Sequence, residues 1–151
     1  MSVTNAGIWD IATSSLAVAP NQYGVLTVSE RGLSYRTEAV EVSAWAASKG
    51  LSDPNLLDFS DYSEDFFKTN ARRQALAVVA QDECPEQLAD FFADINAAYF
   101  AGRMDTFALD TQLLARWQQQ PVRLAQFIDS IVQESPRNHC VLTLTLDSTE
   151  D

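Results

Sequence analysis

Residues 139–147 read HCVLTLTLD, and this stretch decides the fold class. Leu142, Leu144 and Leu146 fall on one face of an extended chain, with Thr143 and Thr145 on the other, because neighbouring strand side chains point to opposite sides. A strand needs partners for its backbone N–H and C=O groups. The β-rich candidates lie far upstream, at Tyr23–Ser29 (YGVLTVS) and Gly32–Thr37 (GLSYRT). Ser29-Glu30-Arg31-Gly32 is short enough to be a hairpin turn, with Gly32 supplying a positive φ. The C-terminal strand is therefore expected to return to an N-terminal hairpin.

Between these strands the apolar spacing is helical. Asn5 offers an N-cap for a short helix over residues 5–17, with Ile8, Ile11, Ala12 and Leu16 on one side, and Pro20 stops it. Thr37 offers an N-cap for a helix with Glu38 and Glu41 in its first turn, carrying Trp45 toward the core and ending at Lys49-Gly50. Residues 51–62 hold Pro54, two serines and three aspartates, and read as a loop. Four helices are expected beyond it. They start near Ser63, at Pro85, at Asp105 and at Pro121, with Phe67/Ala71/Ala75/Val78, Leu88/Phe91/Phe92/Ile95, Leu109/Leu113/Trp117 and Leu124/Ile128/Ile131 facing inward. Ala98-Tyr99-Phe100-Ala101-Gly102 is similar to the turn of a tetratricopeptide repeat, but a solenoid needs about three such units and an ordinary bundle is expected. The fold class is α+β, a small antiparallel sheet packed with a mainly helical middle. A chain of 151 residues suggests a single domain over 1–151, divided into a mixed α/β segment over residues 1–50, a helical segment over residues 63–134 and the returning strand over residues 139–147.

Acids outnumber bases 21 to 10, for a net charge of −11. Nucleic-acid backbones and anionic membranes both call for a basic surface, so neither is expected as a partner. No apolar run approaches the roughly 18 residues of a membrane helix, and no charged n-region precedes Ala17-Val18-Ala19. Cys84 and Cys140 are too few for a disulfide framework and are expected as reduced thiols in a cytoplasmic protein.

Catalytic chemistry finds few candidates. His139 is the only histidine and sits beside Cys140, so on a strand the two point to opposite faces and cannot share a metal or form a dyad. Cys84 precedes Pro85 at a helix N-terminus, which lowers a thiol pKa, but Asp82, Glu83 and Glu86 push the other way. Asp58, Asp61 and Asp65 lack the glycine and terminal glutamate of a calcium loop. Neither a Gly-x-Ser-x-Gly elbow nor a glycine-rich phosphate loop is present. No metal and no cofactor is expected.

One surface is unusual. From Gln74 to Gly102 there are five acids, Asp82, Glu83, Glu86, Asp90 and Asp94, and no Lys or Arg. Glu86, Asp90 and Asp94 repeat every four residues and share one helix face, roughly opposite the Leu/Phe stripe. An acidic face without local bases favours a basic protein partner, drawn in by long-range attraction. Phe100 and the Asp53–Asp65 segment extend that face. The function expected from the sequence is thus non-enzymatic: binding and neutralising, or escorting, a basic protein. Immunity proteins of bacterial toxins, secretion chaperones and nuclease inhibitors share this physical type. The alternatives are a regulatory or scaffold domain that binds through apolar surface, and an enzyme built on a carboxylate pair.

Overall fold

The computed structural model describes residues 2–3, 9–10, 15–134 and 138–145. Strands β1 (Ser2–Val3) and β2 (Trp9–Asp10) pair antiparallel, so residues 9–10 are extended where the 5–17 helix was expected. Most of that expected helix, residues 5–8 and 11–14, lies outside the described residues.

Strands β3 (Gln22–Ser29) and β4 (Gly32–Ala39) form the expected hairpin, paired from Gln22↔Ala39 to Ser29↔Gly32. Gly32 has φ +143°, and a Cβ there would collide with the carbonyl oxygen of Leu144 on the returning strand. Only glycine serves both the turn and that close approach. Strand β5 (Val141–Thr145) pairs antiparallel with β4, giving the order β3-β4-β5. The α+β class is borne out. Leu146 and Asp147, the end of the expected strand, lie outside the described residues.

Helix α1 (Val42–Ser48) is shorter than expected, because Thr37–Ala39 continue β4 instead of opening it. Its one buried residue is Ala46, and Trp45, about 100° around the helix, is 53% exposed rather than in the core. Of residues 51–62, only 51–53 are the expected loop. Asp53 accepts the N–H of Asn55 at 2.9 Å and opens α2 (Pro54–Leu57), and α3 (Phe59–Val79) follows at once. The Phe59 N–H donates to Ser43 Oγ at 3.1 Å, so α1 caps the start of α3.

Helix α4 (Pro85–Phe100) is the centre of the helical block, buried through Leu88, Phe91, Phe92 and Ile95. Ala71, Ala75 and Val79 recur every four residues on α3 and bring it close against α4. Helix α5 (Thr111–Gln118) starts at Asp110, whose carboxylate accepts the N–H groups of Gln112 and Leu113, and not at Asp105. Helix α6 (Arg123–Gln133) completes the block, two residues after Pro121. Trp117 is fully buried, tilted against Phe92, and donates its indole N–H to the Leu88 carbonyl at 2.9 Å. Among the described residues, the main cluster of buried apolar side chains comes from α3 to α6, with Tyr35 on the sheet and Ala46 on α1 buried apart from it.

Two polar joints attach the sheet to this block. Asn21, at positive φ, accepts from Val40 N–H through its carbonyl and from Ser63 Oγ on α3 at 2.5 Å. At the far end of α4, the His139 N–H donates to the Gly102 carbonyl at 2.9 Å and Cys140 Sγ to Ala101 at 3.1 Å. No helix among the described residues is long and apolar enough to cross a membrane.

Candidate partner-binding site

The five acids singled out by the sequence do gather along the outside of α4 and the turn before it, but each one meets a cation from another helix. Because α3 and α4 run antiparallel, Lys68 and Arg72 on α3 come level with Asp94, Asp90 and Glu86. Arg72 pairs with Glu86 and with Asp90, the latter at 2.5 Å, while Lys68 lies 3.2 Å from Asp94 and 3.0 Å from Glu64. Glu64 and Asp94 together hold the Lys68 ammonium above its ordinary pKa.

Asp82 is tied still more firmly. Its carboxylate accepts from the Cys84 N–H at 3.0 Å, from Arg116 at 2.7 Å and from Gln120 at 2.8 Å. The Cys84 N–H first, then Arg116, hold its pKa down at about 2. Arg116 also reaches Glu83 at 3.5 Å. The absence of local bases was a property of the segment and not of the surface, since the bases arrive from α3 and α5.

A row of acids without cation partners among the described residues lies one helix earlier. On α3, Phe59, Tyr62 and Phe66 follow one another at i, i+3 and i+7, so they share a face. Their ring centroids are spaced 6.4 Å and 6.2 Å apart. Asp58, Asp61 and Asp65 run directly beside them, each one residue before a ring. All three aspartates are exposed, and among the described residues none lies within 4.0 Å of a cation. Asp58 occupies the N-cap position yet makes no side-chain capping bond, which leaves its carboxylate to face outward.

Tyr62 is 42% and Phe66 62% exposed, well above what a core face would show. Tyr62 and Phe66, with Asp58, Asp61 and Asp65, border a shallow groove of about 470 Å³ that Pro54, Asn55 and Thr69 also line, while Phe59 lies outside it. An acid-and-aromatic groove suits a guanidinium, which stacks on a ring face while its N–H groups reach carboxylates. This site was visible in the sequence as Asp58-Phe59, Asp61-Tyr62 and Asp65-Phe66. From the sequence, the Asp53–Asp65 segment counts only as an extension of the α4 face, because within a loop over residues 51–62 this spacing has no helical meaning.

The other candidates are soon placed. Cys84 and Cys140 are unbonded and sit at opposite ends of α4, roughly 25 Å apart at ~1.5 Å per helical residue. Burial, then the Asp82 carboxylate, push the Cys84 thiol above its ordinary pKa. Phe100 packs edge-on against Phe67 and Tyr99. Among the described residues, no three His, Cys, Asp or Glu side chains gather as metal ligands would.

Residues 41–138, more than half of the chain, match the family described as the C-terminal domain of cyclic nucleotide phosphodiesterase. The chain belongs to that family. The match takes in every helix from α1 to α6 and leaves β3, β4 and β5 on either side of it. The groove and the paired acid ladder therefore both belong to the family domain, and the sheet lies outside it. No curated protein matches the chain.

Proposed function

We propose that the protein is an interaction module that holds a basic, arginine-rich segment of a partner protein in the groove along the start of α3, and so neutralises or escorts that partner. The observation that carries this reading is the pair of exposed rings, Tyr62 and Phe66, set in one groove with three carboxylates that have no cation partner among the described residues. An exposed cation–π contact contributes about 0.5–1 kcal/mol, and an exposed ion pair about 0.2–1 kcal/mol. A few of each hold a short peptide weakly. The net charge of −11 adds long-range attraction, which speeds the approach of a whole basic partner.

The test is titration with oligo-arginine and oligo-lysine peptides of equal length, followed by calorimetry at low and moderate salt. Arginine binds tighter than lysine, and both weaken as salt rises. Neutralising Asp58, Asp61 and Asp65 to Asn weakens arginine binding by roughly three-fold or more, and Phe66→Ala by roughly two- to five-fold. Unchanged affinity in both variants overturns the proposal.

Family membership favours a second reading, in which the domain takes part in cyclic nucleotide phosphodiesterase activity. Hydrolysis of a cyclic nucleotide by the purified chain, undiminished in the groove variants, selects that reading over the first.

A further inference from the structure

Among the described residues, no strand pairs with the outer edge of the sheet along residues 24–29. Strand β3 is an edge strand of eight residues paired to β4 without a bulge, and QYGVLTVS contains neither a charge nor a proline. Edge strands are ordinarily blunted by Lys, Pro, a bulge or shortness, because their free N–H and C=O groups accept any incoming strand. None of these devices is present on β3.

The register identifies the free groups. The Thr37 N–H donates to the Cys140 carbonyl, so the odd-numbered residues of β4 turn their backbone groups toward β5 and the even-numbered ones toward β3. Arg36 is opposite Val25 and Ser34 opposite Thr27, so Val25 and Thr27 bond to β4. Gly24, Leu26 and Val28 then direct their N–H and C=O groups outward. The side chains of Leu26 and Val28 share the face of Tyr35 and Leu144, and they are 55% and 71% exposed.

We infer that β3 is the seam through which two copies of this chain pair, antiparallel, into a continuous six-stranded sheet. Charge selects the occupant. The chain carries −11, yet from Gln22 to Ala39 the charged residues are Glu30, Arg31, Arg36 and Glu38, which cancel, and Val141–Thr145 has none. Two equally acidic molecules can therefore approach at the sheet without the repulsion that separates them elsewhere. A basic partner, by contrast, is drawn to the acidic helices. The outward residues are also self-complementary: a two-fold axis at Leu26 sets Leu26 opposite Leu26, and Gly24 opposite Val28 of the second copy. One strand pair buries well under the ~800 Å² per partner of a standard interface, so the association is weak and reversible.

Sedimentation equilibrium over a range of concentrations, combined with amide exchange, tests this. The expected result is a monomer–dimer equilibrium that persists at high salt, with exchange at Gly24, Leu26 and Val28 slowing as concentration rises. Leu26→Lys places two cations at the two-fold axis, and Leu26→Pro removes an outward donor that β4 does not use; each leaves the protein monomeric. Thr27→Lys, whose backbone bonds to β4, retains the dimer, and circular dichroism checks that all three variants fold. A chain that stays monomeric at every concentration, or a dimer that survives both Leu26 variants, overturns the inference. So does exchange at these amides that is slow already in the monomer.

Discussion

The two acid stripes of the helical block respond in different ways to loss of charge. Take first the ladder variant Glu86→Gln, Asp90→Asn, Asp94→Asn. It removes the pairs Arg72–Glu86, Arg72–Asp90 and Lys68–Asp94, whose side chains are 36–65% exposed. Exposed pairs contribute about 0.2–1 kcal/mol each. Glu86 lies in the first turn of α4, where the helix dipole adds about 0.3–1 kcal/mol. Relief of the two like-charge i, i+4 contacts returns about 0.2–0.5 kcal/mol each. The net cost is about 1–2 kcal/mol, a thermal midpoint lowered by roughly 2–8 °C for a chain of this length.

Now take the groove variant Asp58→Asn, Asp61→Asn, Asp65→Asn. It removes no ion pair, relieves two like-charge contacts and forgoes a dipole contribution of Asp61 in the first turn of α3. These terms cancel to within about 0.5 kcal/mol. Urea denaturation of both variants, at low salt and near 1 M salt where screening reaches within ~3 Å, measures the contrast directly. The ladder variant loses stability at low salt and approaches the wild type at high salt, while the groove variant stays near it throughout. Equal losses in the two variants, or a ladder variant as stable as the wild type, refute the assignment of paired and unpaired acids.

Two further outcomes follow from the core and its anchors. Trp117→Phe removes the indole donor to the Leu88 carbonyl and leaves a void beside Phe92, so unfolding free energy falls by about 2–3 kcal/mol in a urea titration. Asp82 is depressed from 3.8 to about 2 in the folded protein, so its contribution is complete above pH 4 and is lost as pH falls through about 2. The stability difference between wild type and Asp82→Asn accordingly narrows on acidification from pH 4 to pH 2, as followed by circular dichroism.

Much of the fold was legible because its signals are local. The period-two alternation of Val141–Thr145 and the two-residue link at Glu30-Arg31 suffice for the sheet, and the Leu/Phe spacing after Pro85 suffices for α4. What was misjudged depends on contacts distant in sequence. Helix α3 starts at Phe59 because the Ser43 hydroxyl, sixteen residues earlier, takes its N–H. Thr37, a good capping residue by itself, is drawn into β4 by its bond to Cys140. Trp45 is exposed because α1 is only seven residues long and buries Ala46 alone. The same limit governs the site. Charge pairing between α3 and α4 cannot be seen in either helix separately, so Glu86, Asp90 and Asp94 looked free and were not. Asp58, Asp61 and Asp65 carried the usable signal, which becomes readable only once their segment is known to be helical.

The central claim is that the acids which take a basic partner lie along the start of α3. The most direct measurement is the change in backbone amide NMR shifts as oligo-arginine is titrated in. The account predicts that the largest changes cluster between residues 54 and 69, on the groove side of α2 and α3. Changes centred on residues 82–94, with residues 54–69 unmoved, contradict it.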